Sequence, residues 1–299
     1  MTDPPSAVAG PGSSAQIFDQ GYRRYTGPRT GMSGSIRSLV KHSLRHALGL
    51  GRSARFKVIP LAVVGMAYLP AAVFVGLAAL IPVDTEEFLP TYAEYYAFVA
   101  ATIYLLAGFV GPELLCSDRR TGLLGVYLAS PLDRPNYLYG KAISVFAMLL
   151  LVTLGPPMLM LIAFSLQNMG PDGFLEWLKV FGQILASSAV IGLLYTAVSL
   201  AISATTDRIP VATATILALI PGSAIVTDIM VDEAELTPSL HLLNLLFLPR
   251  ALIFRIHGER GGWSMVDNPT WTLWLACAAW TLGAVVWIWY RYRTLLVRR

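Results

Sequence analysis

With 299 residues, 55% of them hydrophobic and only 13% charged, this chain lacks the polarity to cover a water-soluble fold; soluble domains carry about 25% charged residues. Its mean hydropathy of +0.60 points to lipid as the solvent. Lys and Arg outnumber Asp and Glu by 22 to 18, but the basic residues gather in segments that would share one compartment. The charge therefore reads as a membrane-orientation signal, and nucleic acid is not among the expected partners.

Residues 1–34 are rich in Gly, Pro and Ser and hold no apolar core. They read as a disordered tail with no cleavable signal peptide, and residues 35–299 read as one membrane domain. Ser35 to Leu50 places Ile36, Leu39, Val40, Leu44, Ala47 and Leu48 on one helical face, with Arg37, Lys41, His42 and Arg45 elsewhere. A basic amphipathic helix beside a span is expected to lie in the membrane interface, against lipid.

A spanning helix needs about 20 apolar residues. Runs of that kind extend over Val58–Ile81, Tyr92–Leu115, Tyr139–Leu166, Val180–Ala204, Ile209–Ile229 and Trp271–Tyr290, so the fold class is an all-α membrane protein with six spans. His241–Ile256 is also apolar, but it is too short to cross and carries Pro249 and Arg250 at its centre. It reads as a re-entrant or external helical hairpin turning at Pro249-Arg250.

Arginine and lysine fall before the first span, between spans two and three, at Arg208 and after the last span. Asp84, Glu86, Glu87, Asp172, Glu176, Asp232, Glu233, Glu235, Glu259 and Asp267 occupy the other loops. The positive-inside rule then puts both termini in the cytoplasm of a cell with this chain in its inner membrane. A seventh span would carry the C-terminal arginines outside.

Phosphate-cradling, zinc-protease and nucleophile-elbow motifs are absent from the sequence, so the chain is not expected to be an enzyme or to hold a metal or cofactor. His42 and His46 stand four apart on a helix, where interfacial solvation is preferred to a shared metal. Cys116 and Cys277 are expected to be free thiols. Prolines interrupt several spans, and the adjacent pair Pro156-Pro157 deep in the third is singled out as a bending point. Ionisable residues at membrane depth are scarce, so the chain is not expected to carry its own energy coupling: either a partner drives it or it is passive. The tryptophans of the sixth span hint at apolar cargo, although interfacial anchoring explains its two ends as well.

The loop between spans two and three is the most informative stretch. It runs Glu113-Leu-Leu-Cys-Ser-Asp118-Arg119-Arg-Thr-Gly122-Leu-Leu124-Gly-Val-Tyr127-Leu128-Ala-Ser-Pro131-Leu-Asp133-Arg134-Pro-Asn-Tyr137-Leu-Tyr-Gly140-Lys141. Leu123, Leu124, Tyr127 and Leu128 repeat at helical spacing, and Pro131 ends the short helix. Displayed at the cytoplasmic surface, Leu124, Tyr127 and Leu128 suit a groove on a soluble partner.

This stretch resembles the cytoplasmic loop of ABC-2 type permeases, which typically reads Glu-Arg-Glu-x-Gly-Thr-Leu, an apolar turn, Thr/Ser-Pro-Leu-Ser-Arg, an aromatic and Gly-Lys. The match runs through Asp118, Arg119, Gly122, Leu124, Ala129, Ser130, Pro131, Leu132, Arg134, Tyr137, Gly140 and Lys141. It departs at Arg120, where acid is usual, and at Leu123, where threonine is usual. The six-span layout, the interfacial helix and the late hairpin belong to the same resemblance.

The resemblance implies the membrane subunit of an ABC exporter for a drug, antibiotic, lipid or lipid-linked molecule. Its expected partners are an ABC ATPase subunit, which would bind the ATP and Mg, and a second permease copy or paralogue. Asp118, Arg119, Gly122, Leu124, Tyr127, Leu128, Pro131, Asp133 and Arg134 would couple the chain to the ATPase, with Asp133 and Arg134 as rim charges. Glu113 would mark the inner mouth of the path. Pro156, Pro157, Pro249 and Arg250 would bend or gate it. The alternative is a structural membrane subunit that scaffolds a larger complex without translocation. An intramembrane lipid enzyme ranks last, for want of a nucleophile, base or metal cluster.

Overall fold

In the computed structural model, the structure describes residues 27, 31–50, 54–80, 89–129, 132–259 and 268–294. Gly31–Arg299 form one compact unit. Most of the segment expected to be a disordered tail lies outside the described residues, as do Pro131 and the last C-terminal arginines. Gly31–Gly34, assigned to that tail from composition, already belong to a helix.

Among the described residues there is no strand, and six helices are long and apolar enough to cross a membrane, as fits a multi-pass membrane protein. The chain opens with α1 (Gly31–Ala47) and α2 (Ala54–Leu80). A short α3 (Tyr92–Phe98) breaks at Val99 into α4 (Ala100–Arg120). Thr91 starts α3 with a reciprocal cap: the Thr91 hydroxyl accepts from the Glu94 N–H while the Glu94 carboxylate accepts from the Thr91 N–H. A seven-residue helix, α5 (Leu123–Ala129), follows, then α6 (Arg134–Thr153) and α7 (Gly155–Leu166). The long α8 (Gly173–Ser203) and α9 (Ile209–Asp228) come next. After a π-helical turn over Ile229–Glu233 and a 3-10 turn over Pro238–Leu243 come α10 (Phe247–Ile256) and α11 (Thr270–Thr294).

The centre is α8, whose apolar window is 72% buried, against 22% for those of α2 and α11. It packs on α4, α6 and α11. In lipid, helix pairs gain by close approach and hydrogen bonding rather than by hydrophobic exclusion, and the buried Ser187, Ser188, Gly192, Ser199 and Ser203 give α8 the small surface this needs. The Ser199 hydroxyl donates to the Ala107 carbonyl of α4 at 2.6 Å. At this crossing a Cβ on Gly111 would collide with Ser199 Oγ, so glycine permits the contact. Cys116 and Cys277 are both buried free thiols.

The segment expected to form a hairpin is arranged differently at Pro249-Arg250. Pro249 and Arg250 do not form its turn; they lie in the first turn of α10, where proline costs no hydrogen bond. The chain turns instead at Asn244, which is fully buried. Its Oδ1 accepts from the Leu246 and Phe247 N–H groups at 3.0 and 2.9 Å, and its Nδ2 donates to Thr227 Oγ1 at 3.1 Å. One amide thereby caps α10 and ties it to α9.

Candidate functional site

The loop that follows α4 lies at one end of the bundle, its base. Gly122 has φ +74, a left-handed conformation that favours glycine, and this reverses the chain between α4 and α5. Leu124 is buried and belongs to the core, while Tyr127 and Leu128 are half-buried against it. The face expected to dock into a partner is thus packed on the chain's own bundle. Seven residues cannot bury that face without presenting the other: Leu123 is 40% exposed and Val126 66%.

Beneath α5 sits a buried polar cluster. Asp118 Oδ2 lies 2.7 Å from Lys141 Nζ and accepts from the Tyr137 hydroxyl at 2.8 Å. The Lys141 ammonium stands 5.6 Å from the ring centroids of both Tyr127 and Tyr137, favourable for a cation over aromatic faces. The Tyr137 ring continues to Tyr292 of α11 at 6.3 Å. Burial, and secondarily the Asp118 carboxylate, push the Tyr127 phenol above its usual pKa. Desolvating two charges is costly, and the pair is retained because its partners lie at hydrogen-bonding distance.

Two arginines flank α5 and grip other helices. Arg119 donates to the Ala204 carbonyl at 2.9 Å and also to the Ser203 and Thr206 carbonyls, and its Nε lies 3.1 Å from Asp207 Oδ1. Arg134 donates to the Tyr292 and Arg293 carbonyls at 3.1 and 3.2 Å. In each case a cation meets the carbonyls at a helix C-terminus, where they lack helical partners and the dipole is negative. Asp118, Arg119 and Arg134 thus all make contacts within the chain, Arg134 from a half-buried position with the carbonyls that end α11. Asp133, the N-cap residue of α6, is exposed. Pro131 lies outside the described residues. Glu113, one turn before the cluster on α4, has Oε1 3.9 Å from His46 Nδ1 of α1.

Sequence reasoning missed Asp207 and Tyr292 and treated Tyr137 and Lys141 only as motif matches. The available signal was Lys141 itself, a cation within an apolar run that calls for an acid at similar depth.

Pro156 and Pro157 are both buried and open α7, after a break at Leu154. Proline supplies no N–H, so Pro157 leaves the Thr153 carbonyl free. The Ser188 hydroxyl donates to that oxygen at 3.0 Å, and Tyr96 lies 3.0 Å from Ser188 Oγ. The Tyr68 hydroxyl donates to the Leu151 carbonyl at 3.1 Å. On α8, Tyr195 donates to the Leu245 carbonyl, four residues before Pro249, at 3.1 Å. Arg250 lines two cavities there. The bend, the hairpin and the loop cluster are separate places, and the structure does not gather the expected site residues into one.

Among the described residues no group of His, Cys, Asp and Glu could hold a metal ion. In comparisons with known proteins, no family model matches the chain and no curated protein matches it.

Proposed function

We propose that this chain is the permease subunit of an ATP-driven exporter, moving an amphipathic or apolar substrate outward across the inner membrane. ATP and Mg belong to a separate P-loop subunit docked at the base, and a second permease encloses the path. In this reading both termini are cytoplasmic, α1 lies in the inner interface, and the hairpin ending in α10 closes the outer side.

The observation that carries the reading is the setting of α5. It presents Leu123 and Val126 to solvent at the base, while the residues flanking it hold the ends of α8 and α11 through Arg119 and Arg134. An exposed apolar pair on a short surface helix suits a partner's groove, and fastened flanks would carry a partner's movement into the bundle. The loop sequence from Glu113 to Lys141, with its resemblance to the ABC-2 type, supports the same assignment.

The test is an affinity pull-down of the tagged chain from native membranes in mild detergent, read by mass spectrometry and an ATPase assay. It is run beside a Leu123→Asp, Val126→Asp double variant. A P-loop ATPase that co-purifies with the native chain and is lost from the variant supports the exporter. If no ATPase appears under any mild condition, the scaffolding subunit takes its place.

A further inference from the structure

Two cavities share the side chains of Ala97 and Arg250. The inner cavity, of about 260 Å³, lies between α4, α8 and α10 and is walled in part by the rings of Tyr96, Tyr104 and Tyr195. Tyr96 and Tyr195 turn their hydroxyls to the Ile184 and Leu245 carbonyls. Their polar ends are thus engaged by the backbone, and what they offer a ligand is ring surface. The small side chain of Ala101, on the same wall, leaves the space open.

The outer cavity, of about 490 Å³, has a different character. Its lining holds one acid, Glu94, and one base, Arg250, and the rest is apolar: Phe74, Leu89, Pro90, Ala97 and Phe98. The Glu94 carboxylate is near enough to offset part of the cost of burying the Arg250 guanidinium. At the rim, Phe98 is 58% exposed and stands edge-on to Phe74, with ring centroids 5.3 Å apart. Aromatic rings exposed beside a spanning helix face lipid, so a ligand from the bilayer meets no polar barrier on entry.

A wall with one charge of each sign is matched by a ligand with one charge of each sign. A simple anion would meet Glu94, and a simple cation would meet Arg250. We propose that the two cavities together bind a zwitterionic phospholipid, its phosphate on Arg250, its ammonium at Glu94 and the start of an acyl chain against the tyrosine rings. Arginine suits the phosphate because its planar fork offers paired donors. The ammonium gains from the carboxylate and from the neighbouring aromatic faces. The site is argued from cavity and charge alone and does not depend on an ATPase partner.

The experiment uses the full chain, purified in dodecyl maltoside and stripped of co-purifying lipid. It is titrated with dioctanoyl phosphatidylethanolamine and dioctanoyl phosphatidylglycerol, and occupancy is read by native mass spectrometry. The zwitterionic lipid should bind roughly tenfold more tightly than the anionic one. Glu94→Gln supplies an amide oxygen that can still accept from the Thr91 N–H and so cap α3, and it should weaken the zwitterionic lipid while strengthening the anionic one, so that the preference disappears. Arg250→Gln should weaken both. Ala101→Phe fills the inner cavity and should weaken both lipids without changing their ratio. Thermal unfolding of each variant confirms that it is folded, and Arg250→Lys, which keeps the charge, should recover part of the binding.

Equal affinity for the two lipids, or an unchanged preference in Glu94→Gln, overturns the proposal. Selective binding by a chain that captures no ATPase leaves the site standing and removes the exporter. Capture of an ATPase with no lipid selectivity does the reverse.

Discussion

The Ser188 hydroxyl of α8 donates, at 3.0 Å, to the one carbonyl that Pro157 deprives of its helical partner, that of Thr153. The bend between α6 and α7 is therefore stabilised from the neighbouring helix. Ser188→Ala should lower stability by about 1–3 kcal/mol, the cost of leaving a buried carbonyl unsatisfied. Pro157→Ala restores an N–H and should make the Ser188 change less damaging, and a double-mutant cycle followed by thermal unfolding in detergent measures the difference.

The Asp118–Lys141 pair, buried at 6% and 2% exposure, should respond asymmetrically to substitution. Removing either partner alone, as in Asp118→Asn or Lys141→Met, strands the other and should destabilise by roughly 3–5 kcal/mol. The double change Asp118→Leu, Lys141→Met should recover much of that loss. Equal damage from single and double variants would mean that the charge is not what matters there.

On α5, position decides the outcome of the same substitution. Leu123→Asp and Val126→Asp place the charge in solvent and should leave the stability within about 0.5 kcal/mol of native. Leu124→Asp buries an unpaired carboxylate and should destabilise by several times that amount. The ordering, more than the values, distinguishes this orientation of α5 from its opposite.

His257 follows α10 and lies 3.3 Å from Ser187 Oγ. Burial lowers its pKa from 6.5 to about 4, so the folded chain holds it neutral. Between those values the unfolded chain binds the proton and the folded chain does not, so this contribution to stability is full above pH 6.5 and falls as pH drops toward 4. Unfolding midpoints measured across that window should show a shallower decline for His257→Gln than for the native chain.

The six spans were legible because lipid demands long apolar runs, and their places were right to within a turn or two except where a helix breaks. Val99 divides its span without a composition that announces it, whereas the break at Leu154 stands just before the Pro156-Pro157 pair singled out as a bending point. The helical face Leu124, Tyr127, Leu128 was also legible, but amphipathicity does not say whether the apolar side meets a partner or the chain's own bundle. Pro249 misled for a related reason: proline breaks a helix interior yet suits its first turn, and the sequence does not mark where α10 begins. Asn244 was the better clue, a lone amide in an apolar run that is costly to bury unless it is satisfied. The loop cluster depends on Asp207 and Tyr292, far from it in sequence, and no local pattern links them to Asp118.

Arg119 and Arg134 stand on either side of α5. One end is fixed to the terminal carbonyls of α8 and the other to those of α11. The two contacts are separable links: loss of one leaves the other helix end still held, so the two ends can be released one at a time.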